Sequence, residues 1–256
     1  MKAKARAKIG AQMYTVREFC KTPADIATSL KKIKAMGYDG VQLSALGPID
    51  PRELKKMLEG EGLVCAATHI SLDRMKNEPQ AVIEDHKLWG CRYPAVGGFF
   101  KESFTRQDWL DYAKTFSEVG KTLAAGGLAL GYHNHSHELQ RFEGKTALDL
   151  LLEHCDPTIW MEIDTYWIQH GGGDPAAWIE KVKGRIPCVH FKDMGITAKR
   201  EQVMCEIGAG NLNWPRILKA CKTAGVEWYL VERDAGELDA FDSLKVSLEN
   251  MRQMGL

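Results

Sequence analysis

One junction recurs along this 256-residue chain: an amphipathic stretch, a glycine, then a short apolar run. Ala35-Met36-Gly37 leads to Gly40-Val41-Gln42-Leu43, and Gly60-Glu61-Gly62 leads to Leu63–Ala67. Ala125-Gly126-Gly127 leads to Leu128–Gly131, and Thr223-Ala224-Gly225 leads to Val226–Val231. A glycine just past a helix accepts the left-handed conformation that ends it, and the chain then enters a buried strand. Four copies of one junction predict a repeated strand–helix unit. Strands are expected at 9–14, 40–43, 63–69, 93–97, 128–134, 159–163, 188–192 and 227–232. Amphipathic helices are expected at Ile26–Met36, Leu54–Glu61, Ala81–Trp89, Trp109–Ala125, Ala147–His154, Ala176–Val182, Ile217–Ala224 and Ser243–Met254. Eight alternations in this length match an α/β chain closed into a single (β/α)8 TIM barrel, one domain over residues 1–256, better than an open sheet. The first strand's exit, Gln12-Met13-Tyr14-Thr15-Val16-Arg17, lacks the glycine fingerprint of an open dinucleotide-binding fold.

Composition narrows the partners. The 34 Lys+Arg balance 34 Asp+Glu, so no net field concentrates nucleic acid or an anionic membrane. No apolar run approaches the length of a membrane-spanning helix. The start, MKAKARAK, has the charge of a signal-peptide lead, but only Ile9-Gly10-Ala11 follows before Gln12, so none is expected. Seven cysteines, at 20, 65, 91, 155, 188, 205 and 221, are scattered without a Cys-x-x-Cys pair, which predicts packed, reduced thiols and a cytoplasmic protein.

In such a barrel the chemistry sits where the strands end at their C-terminal mouth. Strand one ends at Gln12, Tyr14 and Arg17, strand three at Thr68-His69, and strand five in Tyr132-His133-Asn134-His135-Ser136-His137-Glu138. Strand six ends Glu162-Ile163-Asp164, strand seven His190-Phe191-Lys192-Asp193, and strand eight Glu232-Arg233-Asp234. His133, Asp164, His190 and Glu232 follow one another at gaps of 31, 26 and 42 residues, about one strand–helix unit each. Imidazole nitrogen and carboxylate oxygen converging from four consecutive strands form a ligand set for one divalent ion such as Mn, Co, Zn or Mg.

These segments, Tyr-His-Asn-His, Ile-Asp-Thr-Tyr-Trp, Val-His-Phe-Lys-Asp, Glu-Ile-Gly-Ala-Gly-Asn-Leu-Asn-Trp and Leu-Val-Glu-Arg-Asp, occur in barrel order. Together they resemble the sugar phosphate isomerase/epimerase family, the xylose isomerase-like TIM barrels, from Gly10 through the final helix. The resemblance implies one divalent metal held by Asp164, His190 and Glu232, with a fourth ligand on strand five. Sugar epimerases of the family usually place a Glu there. This chain has His133 before Asn134, so the ligand is His133, favoured for its position, or Glu138. Apurinic-site endonucleases share the barrel but need a three-zinc cluster. Trp167, Gly97-Gly98, Gln202 and Met204 stand where that cluster would take ligands, which argues against phosphodiester cleavage.

The implied activity is proton transfer beside the carbonyl of a sugar or sugar derivative, with a metal stabilising the enediolate. Glu232 and Glu138 are the proton-transfer candidates, and Lys192 is the candidate for stabilising the oxyanion. The lost strand-five Glu shifts weight toward an alternative, a lyase that dehydrates a keto-sugar or inosose-like substrate; an idle sugar-binding barrel is the non-enzyme reading. Arg17, His69, His135 and Trp167 are the candidate substrate contacts, and the partner is a small-molecule sugar. Assembly into a homo-oligomer is left open. Glu162 stands two residues before Asp164 on the same strand face and reads as a partner of the ligands or half of a buried ion pair. Ile207–Trp214 has two readings, a phosphate-binding loop or a tight turn before the next helix.

Overall fold

The computed structural model describes residues 7–256. Eight parallel strands form the barrel: β1 Lys8–Gln12, β2 Gly40–Leu43, β3 Val64–His69, β4 Pro94–Val96, β5 Gly131–His133, β6 Trp160–Glu162, β7 Cys188–Phe191 and β8 Trp228–Val231. Their order around the sheet is β6-β5-β4-β3-β2-β1-β8-β7. Between β7 and β6 the ladder narrows to one isolated parallel bridge, Asp164 to His190, with His190 N–H donating to Ile163 O at 3.0 Å. The expected barrel is the observed one.

The helices are α1 Pro23–Met36, α2 Pro51–Glu61, α3 Leu72–Asn77, α4 Pro79–Trp89, α5 Arg106–Ala125, α6 Ala147–His154, α7 Thr165–His170, α8 Pro175–Lys181, α9 Trp214–Ala224 and α10 Ala240–Gln253. Their starts are coded locally. Thr22, Thr105 and Thr146 form reciprocal capping boxes with Asp25, Asp108 and Asp149, and proline opens α1, α2, α4 and α8. Gly37, Gly62 and Gly225 close α1, α2 and α9 at φ of 101°, 63° and 84°, as the recurring junction predicts.

Three departures have local causes. The first strand stops at Gln12, not 14, because the Gln12 side chain accepts from Tyr14 N–H and starts a short 3-10 segment, Met13–Phe19. Two short helices were not foreseen: Ser71 caps α3 and Asp164 caps α7, in stretches too brief to show a helical period. After β7 an antiparallel hairpin pairs Asp193–Ile196 with Gln202–Cys205.

The barrel interior divides into two halves. Its lower part is apolar, filled by Ala66, Ala95, Trp160, Cys188, Trp228 and Leu230. Gly131 makes room for this layer, since a Cβ there would come within 2.2 Å of the Trp160 indole. The upper part carries buried polar side chains, among them Gln12, Gln42, His133, Glu162, Asp164, His190 and Lys192. The seven cysteines are unpaired, and six of them are buried. Among the described residues no helix is long and apolar enough to cross a membrane.

Candidate active site

Four strand ends bring one donor atom each, from His133, Asp164, His190 and Glu232, within 4.8 Å of one another. His133 Nε2 lies 3.3 Å from Asp164 Oδ2, and His190 Nδ1 lies 3.0 Å from Glu232 Oε2. All four residues are buried, His190 and Asp164 completely. Asp164 serves two structures at once. Its Oδ1 accepts from Trp167 N–H at 2.9 Å and caps α7, while Oδ2 faces His133 and Lys192.

A buried layer beneath this group fixes its protons. Gln42 sits beside a register irregularity between β2 and β3, and its Nε2 donates to both oxygens of Glu162 at 3.0 and 3.1 Å. Gln42 Oε1 is therefore the acceptor facing His190 Nε2, 2.6 Å away, which places the proton on Nε2. The Nδ1 lone pair of neutral His190 is left to face Asp164 and Glu232. Metal-ligating histidines are held this way, by a partner on the nitrogen away from the ion.

The charges are unbalanced in the direction a cation needs. Asp164, Glu232 and Asp234 crowd around Lys192, the one lysine or arginine that lines the mouth among the described residues. Lys192 Nζ lies 2.8 Å from Glu232, 2.9 Å from Asp234 and 3.2 Å from Asp164. Burial opposes the charge on Lys192, but these carboxylates outweigh it and hold the ammonium form. Burial likewise disfavours the His190 imidazolium, yet Glu162 and Glu232 push its pKa up to about 10. Burial raises the Glu232 carboxyl, but Lys192 and His190 pull it well below the usual carboxylate range. A site that retains a proton on a wholly buried imidazole has negative charge to spare. Its donor set, two imidazoles and two carboxylates, fits a divalent cation.

The group lies at one side of a 740 Å³ cavity at the C-terminal mouth of the barrel. Of the candidate residues, His69, His133, His135, Trp167, Lys192 and Glu232 line it together. The Trp167 ring stands 5.4 Å from Lys192 Nζ and 5.1 Å from the His135 ring. Asp164 and His190 sit behind this lining, and two further candidates join neither the lining nor the ligand group. Glu138 is fully buried, accepting from Tyr132 Oη at 2.7 Å and His135 N–H at 2.8 Å, which removes it from the cavity and from the ligand group. Arg17 donates to Tyr14 O and Asp234 O, tying the loop after β1 to the loop after β8 beside the cavity wall.

The Ile207–Trp214 loop binds no phosphate with its amides, because they are already spent. Gly208 N–H and Gly210 N–H donate to Asp193 Oδ2, as does Trp214 Nε1, and Leu212 N–H donates to Oδ1. The tight-turn reading is the one observed. Gln42 is the residue the sequence reading passed over. Its only signal was a polar side chain inside a four-residue strand that is buried throughout.

The comparisons with known proteins agree on the barrel fold. A family model described as xylose isomerase-like TIM barrel matches residues 30–254. Rhizopine catabolism protein MocC of Rhizobium meliloti is 22% identical over 88% of this chain and 80% of its own length. An inosose dehydratase of Clostridium tetani is 33% identical over 64% of this chain and 62% of its own length. A solved sugar phosphate isomerase/epimerase from Parabacteroides distasonis superposes over 100% of this chain and 96% of its own, with a TM-score of 0.83 at 22% identity. The IolI protein, solved with a zinc atom, covers 96% of this chain and 97% of its own, with a TM-score of 0.73 at 14% identity. With its eight-stranded barrel and a family match over residues 30–254, the chain belongs to the xylose isomerase-like TIM-barrel family.

Proposed function

We propose that this protein is a divalent-metal-dependent isomerase or epimerase that moves a proton beside the carbonyl of a sugar or sugar derivative. The observation that carries the reading is the convergence of His133, Asp164, His190 and Glu232 at the wall of the 740 Å³ cavity. These four residues would hold the ion, with His133 and not Glu138 as the strand-five ligand. Its ligand atoms, nitrogen and oxygen in equal number, suit Mn, Co or Zn better than Mg. When bound, the ion supplies a Lewis acid that polarises a carbonyl.

The chain's own groups do the rest. Glu232 lines the cavity and is ionised, so its carboxylate is placed to accept a proton from the substrate carbon. Lys192 stabilises developing negative charge by its field, since its ammonium protons are directed at Asp164, Glu232 and Asp234. Trp167 and His135 form a wall against which a ring can lie, and Arg17 shapes the rim from outside. Glu138 keeps the strand-five loop in place through Tyr132 and His135.

A second reading, dehydration of a keto-sugar or keto-cyclitol, draws on two observations. Only one carboxylate of the two proposed as acid and base reaches the cavity, and the Clostridium tetani relative is named for inosose dehydration. Purified protein is incubated with D-allulose, L-ribulose and an inosose in deuterated water, with its metal content measured. Deuterium at the carbon beside the carbonyl in a product of unchanged composition supports isomerisation, and a product one water lighter supports the lyase. Stoichiometric metal without exchange in any of them removes the enzyme reading and leaves an idle sugar-binding barrel.

A further inference from the structure

We propose that His69 is the second proton-transfer group of this site, acting through Nδ1, and that Glu162 is the positioning residue that fixes it for that task. The inference rests on the proton-transfer reading above. Moving a proton next to a carbonyl takes one group to accept it and another to return it or to protonate a leaving hydroxyl. Glu232 at the end of β8 fills one of these places. Glu138 cannot fill the other from outside the cavity. His69 ends β3, three strands away from β8 around the barrel, and lines the same cavity.

Three contacts set its orientation. His69 Nε2 lies 2.7 Å from Oε2 of Glu162, a carboxylate with no solvent exposure that is itself held by Gln42. An ionised carboxylate only accepts, so Nε2 carries the proton. On the other edge, Gln12 Oε1 accepts from Tyr14 N–H at 3.1 Å, which turns the Gln12 amide nitrogen toward His69 Nδ1 at 3.5 Å. A donor facing Nδ1 again marks it as the unprotonated nitrogen. Both edges thus assign the same tautomer.

The third contact concerns access. Gly97 lines the cavity beside this ring, and the three atoms nearest a Cβ built there all belong to His69: Nδ1 at 3.1 Å, Cγ at 3.6 Å and Cε1 at 3.7 Å. The missing side chain leaves the Nδ1 edge open. A buried carboxylate behind one imidazole nitrogen, with the other facing a cavity, is the arrangement by which hydrolases align a histidine base and stabilise its imidazolium. In the step, the substrate C–H bond breaks, its proton goes to Nδ1, and its electron pair forms the enolate. In epimerisation the ionised Glu232 is the base instead, taking the proton from one face, and the His69 imidazolium returns one from Nδ1 to the other. In elimination the imidazolium proton leaves with the neighbouring hydroxyl as water.

The test uses His69→Gln, Glu162→Gln and Gly97→Ala in the metal-loaded protein, with D-allulose, L-ribulose and an inosose in deuterated water as probes. Expected for His69→Gln is a kcat for exchange lower by about 10²–10⁴-fold with KM little changed and metal retained. Gly97→Ala lowers kcat through crowding of Nδ1 and leaves the metal in place. In metal-free wild type, nitrogen NMR shows His69 as the Nε2–H tautomer, and Glu162→Gln shifts it toward Nδ1–H. Unchanged exchange in His69→Gln, loss of metal from it, or an Nδ1–H tautomer in wild type overturns the inference. Wild type silent on all three probes defeats the proton-transfer reading instead, and the tautomer still decides whether Glu162 positions His69.

Discussion

Asp193 anchors the loop that leads from the mouth end of β7 to α9, and its removal has a calculable cost. Its carboxylate is wholly buried and accepts five hydrogen bonds, from Gly208, Gly210 and Trp214 Nε1 on Oδ2 and from Met194 and Leu212 on Oδ1. Gly210 approaches so closely that a Cβ there would meet Oδ1 at 2.4 Å, so the loop is wrapped onto this carboxylate. Asp193→Ala orphans these donors at about 1–3 kcal/mol each. Water entering the vacated space satisfies some of them, so we count the three on Oδ2 at the lower bound and expect about 3 kcal/mol. For a chain of this size that lowers Tm by about 6–12 °C. Asp193→Asn loses less, about 1–2 kcal/mol, because its amide oxygen can serve the three donors while its NH2 confronts the other two. Thermal unfolding followed by circular dichroism, with proteolysis between residues 206 and 213 as the local readout, checks both. A Tm drop below about 3 °C for Asp193→Ala, or a larger loss for Asn than for Ala, refutes the reasoning.

Other outcomes follow from single contacts. Asp164→Asn keeps an oxygen for the α7 cap but turns an amide toward His133 and Lys192, so metal stoichiometry after dialysis falls well below one per chain. Tyr132→Phe removes the donor to Glu138 and the acceptor for Phe99 N–H, costing about 1–3 kcal/mol in denaturant melts while leaving metal content unchanged. His86 is buried between Thr68 Oγ1 and Val82 O, each 2.7 Å from a ring nitrogen, and burial lowers its pKa below the ordinary 6.5. The unfolded chain therefore takes a proton that the folded state refuses. Stability is full above pH 6.5 and falls as the pH drops toward the folded pKa, by at most about 1.4 kcal/mol per pH unit. His86→Gln flattens that slope in pH-dependent melts.

The barrel was legible because its punctuation is local. Capping threonines, opening prolines and closing glycines are short-range signals, and buried strands with polar ends declare their mouth side without any knowledge of topology. The candidate ligand group was legible for the same reason, since each member is a polar residue at the end of its strand or just past it. What stayed hidden depends on distance in three dimensions. Glu138 and His133 are five residues apart and both able to ligate a metal, and the contacts that hold Glu138 away from the mouth, from the Tyr132 hydroxyl and His135 N–H, appear only in three dimensions. Gln42 meets its partners 120 and 148 residues away, through a strand-pairing irregularity that one strand's pattern cannot reveal. The glycines of the Ile207–Trp214 loop looked like a phosphate cradle because a carboxylate from the same chain occupies the position an external anion would take.

The narrow join between β6 and β7 would give an ion bound at the candidate site a mechanical task as well. Asp164 and His190 form that single bridge, and each also sends a donor to the ligand group. A cation gripped by both would act as a rivet across the cylinder's thinnest weld. Hydrogen exchange at the amides of residues 163–165 and 190–192 should slow on loading, with the far wall at β2 and β3 little affected. Stripped of its ion, the cylinder is expected to unzip first at the place where it works.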